Sequence, residues 1–228
     1  NYSGSTYFID QDENKGREID ARAYKNANDT QSSPVIFCWS LLSVEVKKSD
    51  KPWVIFTSPR AKFGESGGHN VTSYKNNTGK VFDRGIFEKY HPTYKLPRVG
   101  RTSQVAFSHD TATIFSALVG ATKATIDEYR AAEEHKEFWS DDSIDVVDYE
   151  PLVVVNGPLI ECYLDDNDEL VSQQVEHLQF ALHYASPNYK AEQYMVDIVT
   201  LSSLNDYLSK REKCLDMCLQ NMSSKSSA

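Results

Sequence analysis

Glu45 and Lys47 stand two positions apart at the end of the longest apolar run of the chain, in LSVEVKKSDKPWVIF. On an extended strand side chains alternate with period two, so these two project to one face. Burying such charges is costly unless they are paired, bind a metal or do chemistry. Asp20, in the earlier stretch GREIDARAYK, can be brought alongside by the preceding strand. Two carboxylates and an ammonium form a workable set for metal-assisted hydrolysis of a phosphodiester. Acidic oxygens and a backbone carbonyl hold Mg²⁺, which keeps several of its waters. The metal lowers the pKa of one water and neutralises charge growing on the phosphate. A neighbouring ammonium orients that water or stabilises the pentavalent centre. The plainer alternative is a solvated strand end carrying an ion pair, which is worth little.

The elements that must position these residues can be read from spacing and turn chemistry. STYFIDQDENKGREIDARAYK reads as two strands around a polar turn, with Ile19, Ala21 and Ala23 on one side of the second strand. After a polar loop ending at Pro34, VIFCWSLLSVEVK is apolar on both faces, as a central covered strand should be. KSDKP turns, and WVIF returns as a shorter strand. Residues 57 to 101 lose periodicity and form the most basic part of the chain, which makes Lys62, Arg84, Arg98 and Arg101 candidates for nucleic-acid contact. Helical spacing from 102 to about 136 predicts the main helix. SDDSIDVVDYE reads as an acidic loop, followed by further strands broken at Gly157-Pro158. SSLNDYLSKREKCLDMCLQNM predicts an amphipathic helix with Ser202 or Ser203 as N-cap. Residues 1–222 are expected to form a single domain and 223–228 a disordered tail.

The stretches GREIDARAYK and LLSVEVKKSDKPWVIF resemble the PD-(D/E)xK nuclease superfamily, in the form REID followed by VEVKKS and PWV found in uncharacterised bacterial proteins. The resemblance covers residues 16 to 56. It implies an α/β fold of restriction-endonuclease-like type, a mixed central β-sheet flanked by helices. It also implies a metal-dependent nuclease cutting DNA, with RNA as the second choice, at a centre of Asp20, Glu45 and Lys47. Asp20, Glu45 and the main-chain oxygen of Val46 would hold Mg²⁺, with Mn²⁺ as a substitute, and Lys47 would position the attacking water. The superfamily often adds a Glu from a helix before the Asp strand, and such a helix would have to lie upstream of Asn1. A polar residue on the helix after the ExK strand is also common, and Gln104 is the best-placed candidate. The competing expectation is a catalytically inactive module that keeps the nuclease fold inside a defence or regulatory assembly.

Composition bounds these readings. A net charge of −9 argues against a protein that binds polyanions over its whole surface, although a local basic cleft can coexist with it. The four cysteines have no zinc spacing, and two of them fall in apolar runs, which suits reduced core thiols and a cytoplasmic protein. The six histidines show no HExxH pattern, and GESGG lacks the context of a nucleophile elbow. The longest apolar run is too short to cross a bilayer. The expected partner is nucleic acid, and pairing of two identical copies would allow two strands to be cut.

Overall fold

The computed structural model describes residues 2–60, 71–76, 90–91, 93, 95–108, 112–135 and 143–226, so Lys62 and Arg84 lie outside the described residues. Its strands are β1 (Tyr2–Asp10), β2 (Lys15–Asp29), β3 (Val35–Lys48), β4 (Trp53–Pro59), β5 (Val71–Asn76), β6 (Arg98–Val105), β7 (Ser143–Asn156), β8 (Leu159–Leu164), β9 (Leu170–Gln174), β10 (His177–Ser186) and β11 (Tyr189–Thr200). The helices are α1 (Thr113–Glu134) and α2 (Leu204–Ser226). The protein is therefore α/β, with one large mixed sheet in the order β1-β2-β3-β7-β11-β10-β6-β4-β8-β9 and β5 set against β7.

The first three strands form an antiparallel meander, and β7 then lies parallel to β3. A parallel pair needs a crossover connection, and α1 lies within it. Sheet alternation sends the two helices to opposite faces. Val153 and Val155 of β7 join Ile114, Leu118 and Ala121 of α1 in the main core. Leu152 and Val154 face the other way and pack with Leu42, Val44 and Tyr207 of α2. The far half of α2 adds Cys214, Leu215, Cys218 and Met222 against Ile36 and Cys38, a stripe at helical spacing. All four cysteines are free and buried, as their apolar surroundings suggest.

Where β3 ends, the sheet turns a corner. Residues 49–52 carry the chain into β4, while Gly157 and Pro158 carry β7 into β8, and β4 and β8 are again parallel. The two connections run side by side: Ser49 N–H donates to Asn156 O at 3.0 Å and Trp53 N–H to Pro158 O at 2.9 Å. WVIF is thus a strand as expected, but its neighbours are β6 and β8 and not the strand it follows.

Three expectations about elements need correction. The main helix starts at Thr113 and not at 102, because residues 98–105 are strand β6, paired with β4 from Pro59↔Arg98 to Trp53↔Val105. The acidic stretch around Asp148 is strand β7 from Ser143 onward and not a loop, and Asp148 and Glu150, acids that suggested solvent, are buried. The helix α2 runs on to Ser226, so Ser223–Ser226 continue it where a disordered tail was expected. Ser203 precedes α2, but its hydroxyl bonds Glu176 O and Thr200, which fixes the helix entry to the sheet.

Candidate functional site

The three residues singled out by the sequence lie at the place where β2 and β3 part. The β2/β3 ladder stops at Ala21↔Val44. The β1/β2 ladder skips the row of residue 20, passing from Gly4↔Ala21 to Thr6↔Ile19. Ser5 in that row has φ 44°, a left-handed backbone that interrupts the strand. Asp20 sits in this gap, and its Oδ2 accepts the Val46 N–H at 2.7 Å. A side-chain carboxylate thus takes up a backbone donor of β3 just past the last ladder pair.

Glu45 and Lys47 project to one face, as alternation requires, and Lys47 Nζ donates to Glu45 Oε2 at 2.7 Å. The Glu45 side chain keeps 12% of its surface and that of Lys47 33%, so the pair is sheltered but open to solvent on one side. Helix α1 forms the shelter. Gly120 packs against the Glu45 side chain, and a Cβ there would stand 2.9 Å from Glu45 Oε1. Burial holds the Glu45 carboxyl above its ordinary range; Lys47 opposes this through its hydrogen bond and charge, and the charge of Asp20 adds to it. Two carboxylates against one ammonium leave a net negative site whose hard oxygen donors suit Mg²⁺. Val46 supplies its N–H to Asp20, and its carbonyl is the remaining main-chain donor expected at a metal.

The other expected residues are elsewhere. Gln104 is on β6 and not on a helix, and its amide donates to Val105 O and Ser108 O, each at 3.3 Å. Arg98 is engaged by Glu161 through two hydrogen bonds of 2.8 and 2.9 Å and lies over the Tyr163 ring at 3.6 Å. Arg101 is exposed beside His183, at 3.5 Å.

Sequence reasoning missed a second polar cluster, buried under α2. Arg211 donates to Glu150 Oε1 at 2.8 Å and to Ser40 Oγ at 2.8 Å, and its Nη2 lies 2.7 Å from Glu150 Oε2 and 3.3 Å from Asp148 Oδ2. His91 Nε2 is 2.7 Å from Glu150 Oε1, while its Nδ1 takes the Thr93 N–H at 3.3 Å. Asp197 accepts from Tyr207 at 2.6 Å and from Gln179 at 3.0 Å. Ligating atoms of His91, Glu150 and Asp197 lie within 4.8 Å of one another. That spacing is compatible with a metal, but Arg211 already pairs with Glu150, and Tyr207 and Gln179 bond Asp197. The cluster acts as a polar clasp between α2 and the sheet. Its sequence signal was the helical stripe itself, since Arg211 follows Tyr207 by four residues on the buried face.

The clasp gives the fold an unusual dependence on pH. Asp148 is fully buried, and desolvation together with the charge of Glu150 pushes its carboxyl up to about 8. Burial also raises Glu150, and it keeps His91 neutral by lowering it to about 3. The folded state therefore holds a proton that the unfolded chain releases near pH 4, and stability falls as pH rises toward 8. Thermal unfolding should move to lower temperature between pH 6 and pH 9, on the order of several degrees. In Asp148→Asn, which keeps a neutral side chain there, that slope should flatten. An unchanged slope in the variant would exclude Asp148 as its source.

Comparison with known proteins leaves the chain to its own geometry: no family model matches, and neither the curated proteins nor the solved structures contain a match. Among the described residues, no helix is long and apolar enough to cross a membrane.

Proposed function

We propose that the protein is a metal-dependent nuclease that hydrolyses phosphodiester bonds of DNA, with RNA as the second substrate to test. The carrying observation is that Asp20 bonds the backbone of Val46, between the paired Glu45 and Lys47, where the β2/β3 ladder opens. The β1-β2-β3 meander, the α1 crossover and the parallel β7 also support an arrangement of restriction-endonuclease-like type. Asp20, Glu45 and the Val46 carbonyl would hold Mg²⁺ or Mn²⁺. When bound, such an ion activates water and neutralises charge on the phosphate.

The protein's own residues set the conditions for that chemistry. Asp20 is oriented by the Val46 N–H, which fixes one carboxylate oxygen and leaves the other available. Glu45 is held by Lys47 and sheltered by α1, and this shelter strengthens electrostatic interactions within the site. Lys47, still a third exposed, can hold a water or a phosphate oxygen while remaining beside Glu45.

Plasmid, single-stranded DNA and RNA should each be incubated with the protein in Mg²⁺, Mn²⁺ or EDTA. Cleavage should require the metal, and Lys47→Ala and Asp20→Ala should each lower its rate by at least about a hundredfold at temperatures where each variant is shown to remain folded. Mn²⁺ should raise the unfolding temperature of the parent protein but not that of Glu45→Ala. Parent-level cleavage in either alanine variant would overturn the assignment. Absence of metal-dependent cleavage on all three substrates would leave the inactive-module reading in its place.

A further inference from the structure

Phe107 is 92% exposed, the most of any large hydrophobic side chain among the described residues. It also has φ 53°, a conformation in which a bulky residue is an outlier. Such strain persists only where the surroundings enforce it, and it concentrates at functional positions. The surroundings here are specific. The preceding Ala106 N–H donates to Pro52 O at 2.9 Å, and Lys51 Nζ donates to the Phe107 carbonyl at 2.7 Å. Gln104 braces the same loop from inside through Val105 O and Ser108 O. The fold thus holds an aromatic ring out in water on a loop tied from two sides.

The location gives the ring a use. Lys51 belongs to the corner that directly follows Lys47 and Lys48, and four residues of chain reach at most about 14 Å. The loop of Phe107 leads into α1, the helix whose Gly120 covers Glu45. Beyond the Lys47–Glu45 pair, the corner carries Lys48 and Lys51 against Asp50, in a chain with net charge −9. An exposed ring on a loop tied to Lys51, with the exposed Lys48 three residues before it, matches the flat bases and phosphate chain of a single strand. An apolar protein partner would have to settle beside the Lys51 ammonium.

We propose that Phe107 is a base-stacking anchor for single-stranded nucleic acid, placed so that the bound strand runs toward Asp20, Glu45 and Lys47. This rests on reading those three residues as a nuclease centre. Stacking supplies grip without sequence preference, since every base has a flat face. Lys48 contributes phosphate contact beyond the ring, and Lys51 keeps the loop in its raised position.

Binding is measured by fluorescence anisotropy with a labelled oligothymidylate of about 12 nucleotides in EDTA, where metal-dependent cleavage cannot proceed. Phe107→Ala should weaken binding by about tenfold to a hundredfold, while Phe107→Trp retains it. Lys48→Ala should make the dependence of log affinity on log salt shallower by about 0.7. Equal affinity for the parent and Phe107→Ala, or no binding by the parent, overturns the proposal, as does a change of oligomeric state in Phe107→Ala at unchanged affinity. The two readings fail separately. Phe107-dependent binding without cleavage in Mg²⁺ removes the nuclease and keeps the anchor. Cleavage lost in Lys47→Ala, with binding indifferent to Phe107, removes the anchor and keeps the nuclease.

Discussion

Arg211→Met should destabilise the protein by about 3–5 kcal/mol, the cost of leaving buried carboxylates without their cation. Arg211 is 5% exposed and is the α2 side of contacts to Glu150, Asp148 and Ser40. Glu150 and Asp148 lie beneath it at 4% and 0% exposure, too deep for water to replace the guanidinium. Typical domains have about 5–15 kcal/mol of stability in total, so the loss is a large part of it. Denaturant unfolding should show the midpoint falling with the slope unchanged. The double variant Arg211→Met/Glu150→Gln should recover part of the loss, because removing both charges removes the uncompensated one. A single variant as stable as the parent would mean that α2 is held by its apolar stripe alone.

The second large effect is expected from Gly157→Ala. A Cβ at this position would stand 2.1 Å from the backbone oxygen of Ser49, a separation no side-chain adjustment can relieve. The two corner connections would have to move apart, breaking the Ser49-to-Asn156 hydrogen bond. Overpacking of this kind costs about 3 kcal/mol or more when backbone must yield. Gly16→Ala is the control, since a Cβ there meets nothing within 4 Å. The corner begins just after Lys47 and Lys48, so any metal-dependent cleavage should fall in Gly157→Ala even at temperatures where it remains folded. Equal stability of the Gly157 and Gly16 variants would show that the corner can open without cost.

The sequence was most readable where local chemistry decides local structure. The β1/β2 hairpin, the long apolar β3 and the stripe of α2 follow from turn residues, alternation and helical spacing, and the shared face of Glu45 and Lys47 follows from alternation alone. What could not be read depends on partners distant in the chain. Asp148 and Glu150 look like solvated acids until Arg211 arrives from another element to pair with them. β6 looks like the start of a helix until β4 claims it as a neighbour. The placement of Gln104 failed with that boundary. The opening of the ladder at Asp20 has no local signature, because it is set by β1 and β3 together.

The pairing of β3 with β7 has a consequence for synthesis. Each residue from Val35 to Lys48 has its neighbour more than a hundred positions later, from Ser143 to Asn156. Contacts this distant in sequence form slowly, because a long loop must close before it is rewarded. During translation Glu45 and Lys47 leave the ribosome long before either the strand that supports them or the helix that covers them. The site of Glu45 and Lys47 should therefore assemble only once β7 has emerged, with one flank of β3 waiting until then as an open edge for chaperones to guard.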